Sequence, residues 1–227
     1  MAGIDGCRGG WLVAMLPAGA PGHGADVRVH PDLSEVAEAL RSGRLVAAAI
    51  DIPIGLPAEG SRVCDREARR LLGPRRSSVF PAPVRAVLGT TSYADACVVS
   101  RAVSGKALSK QLYNIVGKIR AVDRLESPWL QQRLFEACPE LSFALMADGR
   151  PMRHPKRSAE GRAERVALLE KEPGLGPVDS APPAGAAPDD VLDALALAWT
   201  ARRYVDGSCL RLGGQLDETG LRMEVVA

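Results

Sequence analysis

The first sixteen residues constrain the fold more than any other stretch of the chain. Ile4 begins an apolar strand that Asp5 interrupts at once, and a glycine-rich turn over residues 6–10 then allows reversal into a second strand, Trp11 to Leu16. This hairpin carries a carboxylate near its core, which is costly unless a cation, a metal or backbone donors compensate the charge. Asp5 could instead simply cap the turn, because Asp and Gly are common turn residues.

Composition excludes several classes of protein. The chain has 227 residues, 46% hydrophobic and 25% charged, which is enough for one large α/β domain or two small ones. The formal net charge of +2 says almost nothing about partners. The five cysteines lack CxxC spacing and the three histidines form no metal-ligand pattern, so we expect a reduced chain without structural zinc. No apolar run approaches membrane-spanning length, and we expect a cytoplasmic protein that neither is secreted nor enters a membrane.

A second acid follows a buried strand. Alternation predicts a third strand over Asp26 to His30, and a helix follows from about Leu33 to Leu40. The apolar run from Leu45 to Ile50 then predicts a strand buried on both faces, which ends at Asp51. Ligands of open α/β sheets bind at such strand ends, although Asp51 could also serve only to start the loop.

Basic residues cluster in two regions. Residues 60–130 are predicted to be a mainly helical insertion, with an excess of arginine between residues 60 and 85 that includes Arg75 and Arg76. A second basic stretch, residues 150–171, includes Lys156 and ends in a helix. Either surface could be an ordinary solvated face, but charge of one sign also suits contact with a phosphate backbone.

Two further acids are predicted to share a strand face. Residues 133–143 have strand character, and an extended backbone would project Glu136, Cys138 and Glu140 to one side. A flexible connection rich in proline and glycine follows over residues 172–188.

The helix after this connection carries a DxxD pattern. Asp189 is a natural N-cap, whereas Asp190 and Asp193 lie on one helical face. The helix is so apolar that it must be largely buried, and an acidic face pressed against a sheet is hard to explain as packing.

Taken together, these motifs resemble the family of predicted nucleases with an RNase H fold, catalogued as a domain of unknown function, number 429. The family motif Glu-x-His-Pro-Glu has its counterpart here in residues 136–140, with Cys138 in place of the histidine. The matching stretches span nearly the whole chain: residues 3–11, 50–57, 64–69, 77–81, 136–143 and 189–201.

The resemblance implies one RNase H-like domain over residues 1–227. Its mixed five-stranded sheet would have the first three strands antiparallel, the 45–51 strand parallel beside the first, and flanking helices that include the Asp190 helix. Crowded carboxylates raise each other's pKa, and Mg²⁺ or Mn²⁺ would resolve this conflict and activate water for phosphodiester hydrolysis. The implied metal ligands are Asp5, Asp51, Asp190 and Asp193, with Glu136 and Glu140 as weaker catalytic candidates and Arg75, Arg76 and Lys156 as phosphate contacts.

The predicted function is therefore a divalent-metal-dependent nuclease acting on DNA or RNA. An acid-glycine turn after a first strand is also typical of actin-like and sugar-kinase-like phosphotransferases, but this chain is short for their duplicated domains. A catalytically silent nucleic-acid-binding or protein-binding module is the other alternative, which the cysteine at position 138 keeps open.

Overall fold

A mixed five-stranded sheet forms the centre of the fold. The computed structural model describes residues 1–17, 24–175 and 181–227. Within these residues the strands are β1 (Ala2–Cys7), β2 (Gly10–Met15), β3 (Asp26–His30), β4 (Ala48–Ile50) and β5 (Leu134–Glu136), in the spatial order β3-β2-β1-β4-β5. β1, β2 and β3 are antiparallel, whereas β4 lies parallel to both β1 and β5. The predicted mixed sheet, with its antiparallel first three strands, is confirmed.

The parallel register brings the acidic strand ends together. Ile4 of β1 pairs with Ile50 of β4, and Ile50 pairs with Glu136 of β5. The Asp51 amide donates to the Ile4 carbonyl at 3.1 Å, so Asp51 leaves the sheet beside Asp5. Three neighbouring strands therefore deliver a carboxylate to the same end of the sheet.

Helices cover both faces of this sheet, and a small hairpin lies at the C-terminal end of the described chain. The hairpin, formed by β6 (Arg211–Leu216) and β7 (Arg222–Val226), was not predicted from the sequence. Short 3₁₀ turns lie at Gly73–Ser78, Arg85–Gly89 and Leu130–Gln132. The described elements are α1 (Ser34–Arg41), α2 (Val63–Leu72), α3 (Tyr93–Ser104), α4 (Lys110–Leu125), α5 (Pro139–Met146), α6 (Ala159–Leu169), α7 (Pro188–Val205), β6 (Arg211–Leu216) and β7 (Arg222–Val226).

The last helix, α7, lies directly against β1. Its residues from Val191 to Ala201 are buried, as the apolar composition of this segment predicts. Glycine is required at position 3, because a Cβ there would lie 2.0 Å from the Ala194 carbonyl oxygen and 2.1 Å from the Ala198 amide nitrogen. Small residues on both elements thus allow the helix to approach the sheet closely, and its acidic side chains come with it.

Three local predictions were wrong. The strand predicted over residues 45–50 is confined to Ala48–Ile50. The strand predicted over residues 133–143 ends at Glu136 and α5 begins at Pro139, because proline has the backbone angle of a first helical residue and needs no amide partner there. Glu140 is therefore a helical residue and does not share a strand face with Glu136.

The third correction concerns the start of α7. Asp189 is not the N-cap, because the helix begins at Pro188 and Ala187 occupies the cap position. Part of the predicted connection over residues 172–188 lies outside the described residues. In the part of the chain that is described, no helix combines the length and the apolar character needed to cross a membrane.

Candidate functional site

A cavity of about 400 Å³ opens at the end of the sheet where the acids collect. Its lining includes aspartates from three different elements: Asp5 of β1, Asp51 just after β4 and Asp193 of α7. Glu136 of β5 and Glu140 of α5 also line it. Most of the acids predicted from separate motifs therefore meet in one place.

Asp5 lies on the β1 face that α7 covers. Alternate strand residues share a face, so Asp5 points to the same side as Gly3, beside the helical turn that contains Asp193. Burial raises the pKa of Asp5 well above its ordinary value, and the negative charges of Asp193 and Asp51 raise it further. The ionised form of Asp5 is thus disfavoured by the protein as it stands.

Asp51 faces the cavity from the loop that follows β4. Its side chain is open to the cavity, but protein surrounds it on the other sides, and this loss of water raises its pKa to about 7. The charge of Asp193 acts in the same direction, whereas Lys156 lowers the value. Among the described residues, none donates a hydrogen bond to the carboxylate of Asp5 or of Asp51, and none forms an ion pair with either carboxylate.

Asp193 differs because it has a cation partner. Lys156 Nζ lies 2.6 Å from Asp193 Oδ2 and 3.7 Å from Asp189 Oδ2. Burial still raises the pKa of Asp193 to about 6, although the lysine opposes this shift. Burial would lower the pKa of Lys156, but the hydrogen bond to Asp193 and the negative charges of Asp193, Asp5 and Asp189 together outweigh burial and hold the pKa of the ammonium group above its ordinary value. Lys156, predicted as a phosphate contact, therefore sits against the aspartates.

Glu136 is neutralised by a buried arginine. Arg62 donates from Nη1 to Glu136 Oε2 at 2.6 Å and from Nη2 to Glu136 Oε1 at 2.7 Å, and it also pairs with Asp65. The Ile54 amide donates to Glu136 Oε2 at 2.8 Å, and Arg62 Nη1 donates to the Ile54 carbonyl at 3.2 Å. This network fixes the loop that carries Asp51.

Glu140 is neutralised in the same way. Arg165 Nη2 lies 2.8 Å from both carboxylate oxygens of Glu140, and both side chains are buried. Sequence reasoning missed Arg62 and Arg165 as site residues, because each appeared only as one basic residue within a charged stretch.

Asp190 has a structural task. Its Oδ2 atom accepts a hydrogen bond from the Ala187 amide at 2.8 Å, which satisfies one of the free donors at the start of α7. It lies outside the described residues that line the cavity, although its charge adds a small upward effect on the pKa of Asp5. The two acids of the DxxD pattern therefore separate, with Asp193 in the cavity and Asp190 at the helix start.

The two predicted arginines also separate. Arg75 lines the cavity, but its guanidinium donates to the Met152 carbonyl at 2.8 Å and to the carbonyl of Arg153. Arg76 is exposed and outside the described cavity lining. A further cation, Lys118 of α4, lines the cavity and donates to the Gly10 carbonyl, with its Nζ 4.3 Å from the centre of the Trp11 ring.

Comparison with known proteins decides the family. Residues 3–218 match the model of the family described as "Protein of unknown function (DUF429)". The chain belongs to the DUF429 family. A search of the curated proteins and a search of the solved structures each gave no match. The resemblance drawn from the motifs is confirmed at the level of the family, whose description names no reaction.

In this DUF429 chain, Cys138 occupies the N-cap position of α5 and lines the cavity. Burial raises the pKa of its thiol, and the nearby charge of Asp51 raises it further. The thiol is thus held protonated beside the acids, and it cannot act as a base in place of the histidine of the family motif.

The DUF429 cavity has the type of ligand that a magnesium or manganese site requires but does not have the ligands already arranged around a metal position. Its acids offer hard oxygen donors, which these cations prefer. In the described residues, however, no group of three His, Cys, Asp or Glu side chains is placed to hold a metal ion, and one oxygen of Asp193 is taken by Lys156. The donor chemistry therefore fits a hard divalent cation, while a closed coordination shell is not preformed.

Proposed function

We propose that this chain is a divalent-metal-dependent phosphodiester hydrolase that acts on nucleic acid and has an RNase H-like fold. One observation carries the proposal. Asp5 of β1 and Asp51, which follows the neighbouring parallel strand β4, face one cavity with Asp193, and no described residue forms an ion pair with the carboxylate of Asp5 or Asp51 or donates a hydrogen bond to it. Crowded carboxylates raise each other's pKa, and such sites are characteristic of functional centres.

The sheet order supports the fold assignment. The order β3-β2-β1-β4-β5, with an antiparallel first hairpin and parallel β4 and β5, agrees with the arrangement that the family resemblance implies. In that arrangement a helix carrying an acid packs beside the first strand, as α7 and Asp193 do here.

Asp5, Asp51 and Asp193 are the residues that would hold Mg²⁺ or Mn²⁺. The cation would lower the pKa of a bound water and stabilise the leaving oxygen. The raised pKa values of all three acids mean that a positive charge in the cavity would favour their ionised forms. Lys156 supplies part of that charge in the absence of a cation.

The remaining predicted acids hold in place the chain segments around the three aspartates. Glu136 and Arg62 hold the Ile54 backbone and with it the loop that begins at Asp51, while Glu140 joins α5 to α6 through Arg165. Asp190 holds the start of α7 and so the placement of Asp193. These side chains support the three aspartates, although Glu136 and Glu140 also line the cavity.

Hydrolysis of a labelled single-stranded or duplex oligonucleotide and of bis(p-nitrophenyl) phosphate, with Mg²⁺ or Mn²⁺, tests the proposal. We expect cleavage by the wild type and losses of roughly 100-fold or more in Asp5→Asn and Asp51→Asn, because each removes a charge that the transition-state arrangement needs. Asp148→Asn is the matched control, since Asp148 is exposed and its positive φ of 55° suits asparagine.

Cleavage that needs no divalent cation, or that survives in Asp5→Asn, would contradict the proposal. Phosphate release from ATP without cleavage of any phosphodiester would favour the phosphotransferase alternative instead.

A further inference from the structure

An exposed aromatic side chain lies at the wall of the acid cavity. Phe80 is 44% exposed and lines the same cavity as Asp5, Asp51 and Asp193. Apolar side chains, Ile115 among them, line the cavity as well. The cavity lining therefore combines charged side chains with apolar ones, and Phe80 is an aromatic side chain among the latter.

The backbone on each side of Phe80 is hydrogen-bonded to a side chain of α2. Arg69 Nη1 donates to the Val79 carbonyl at 2.8 Å, and the Ala82 amide donates to Asp65 Oδ2 at 2.9 Å. Asp65 is itself held by the buried Arg62. Because both flanks of Phe80 are anchored, the ring is presented to the cavity by a rigid segment.

The cavity also has a limited size. Its volume of about 400 Å³ lies in the range of small-ligand pockets, roughly 300–1,000 Å³. Arg75 also lines the cavity, and its side chain links the 73–78 turn to the carbonyls of Met152 and Arg153. Such a space suits one nucleotide unit.

We propose that the cavity binds one unpaired nucleotide of a single strand, with the base stacked on Phe80 and the phosphate directed to the aspartates. The proposal rests on the function proposed above and adds the substrate class. Every base has a π-face, so stacking on an aromatic side chain tolerates any sequence. The cations of the described lining are already engaged: Lys156 pairs with Asp193 and Arg165 with Glu140, while Lys118 and Arg75 donate to backbone carbonyls. A divalent cation would therefore be needed to offset the repulsion between phosphate and aspartates.

Fluorescence anisotropy in Ca²⁺, used to allow binding without turnover, tests the stacking. The probes are a short labelled single strand, the same strand with abasic sites, and the corresponding duplex. We expect the wild type to prefer the single strand with bases over both of the others. Phe80→Ala should weaken binding of that strand by roughly 5- to 150-fold, the usual loss for one stacked base, and leave the abasic strand nearly unaffected.

Two further variants complete the design. Phe80→Trp should retain the affinity, because a larger ring still stacks. Trp129→Ala is the matched control, because Trp129 is 50% exposed and lies outside the described cavity lining. Melting temperatures check that each variant folds.

Equal wild-type affinity for the abasic and base-bearing strands, a preference for duplex, no binding of any probe, or unaltered binding by Phe80→Ala would each overturn the inference. The proposed function is tested separately, by whether cleavage requires a divalent cation and Asp5. Metal-dependent cleavage of duplex by both the wild type and Phe80→Ala would therefore contradict the proposed nucleotide pocket and still support the proposed hydrolase function.

Discussion

Replacement of Asp193 by asparagine is expected to stabilise the metal-free protein. Asp193 is buried and its pKa is raised from 3.8 to about 6, even though Lys156 lies 2.6 Å away. In this range the folded state binds more protons than the unfolded state, so the free energy of unfolding falls as pH rises from about 4 to about 6. Above pH 6 the whole penalty of the ionised carboxylate is present.

The size of the effect follows from the shift in pKa. A shift of about two units corresponds to about 3 kcal/mol, since each unit is worth about 1.4 kcal/mol. Asp193→Asn should therefore raise the free energy of unfolding by about 3 kcal/mol at pH 8 and by about half of that at pH 5. For a chain of 227 residues this gain corresponds to a rise of about 6–12 °C in Tm at pH 8.

Urea denaturation followed by tryptophan fluorescence measures the difference at several pH values without added metal. The matched control is Glu140→Gln, which also removes a buried carboxylate that lines the cavity. Arg165 would then be left buried without its partner, so this variant should lose about 3–5 kcal/mol. A loss of stability in Asp193→Asn at pH 8, or a gain that does not shrink toward pH 5, would refute the reasoning.

Four other variants test the roles of basic side chains in and around the site. Arg62→Met should lower the free energy of unfolding by about 3–5 kcal/mol in urea denaturation, because Asp65 and Glu136 lose their shared partner, and unchanged stability would contradict the network described. Lys156→Met should strengthen Mn²⁺ binding in calorimetry by freeing Asp193, and weaker binding would show that the lysine assists the cation instead. Arg76→Ala should reduce the salt dependence of nucleic-acid affinity by roughly 0.7–0.9 log unit per log unit of salt, whereas Arg75→Ala should chiefly lower Tm. Equal salt slopes in the wild type and Arg76→Ala would remove that arginine from the nucleic-acid surface.

Local patterns in the sequence predicted the hairpin after Asp5 and the buried strand before Asp51. The parallel placement of that strand beside β1, and with it the convergence of the acids, was implied by the family resemblance and agrees with the structure. Asp193 could be placed because an apolar helix must bury itself against the sheet.

The charge partners could not be predicted, because they depend on contacts between distant parts of the chain. Arg62 is separated from Glu136 by 74 positions, and Arg165 is separated from Glu140 by 25. In sequence these arginines resemble their solvated neighbours. Only the folded structure distinguishes neutralised glutamates from the aspartates that lack a partner.

Helix starts were the other source of error. The sequence pattern predicts a strand through Pro139 and a capping role for Asp189, and both predictions are wrong. Proline at the first helical position accounts for both starts, α5 at Pro139 and α7 at Pro188, and an acid three residues after the cap then reaches back to its backbone in α7. Both prolines are visible in the sequence. However, the neighbouring residues also fit a strand in the first case and an aspartate cap in the second, so the sequence alone does not decide between the two interpretations.

The most direct test of the central claim is a crystal structure of the protein after a soak with Mn²⁺ at pH 8. Anomalous scattering would locate the manganese ions. The account predicts a manganese peak in the cavity with oxygens of Asp5, Asp51 and Asp193 as ligands and with Lys156 moved away from Asp193. The same soak of Asp5→Asn should show no peak there. An empty cavity in the wild type with Lys156 still paired to Asp193, or a peak retained in Asp5→Asn, would contradict the proposed metal-dependent site.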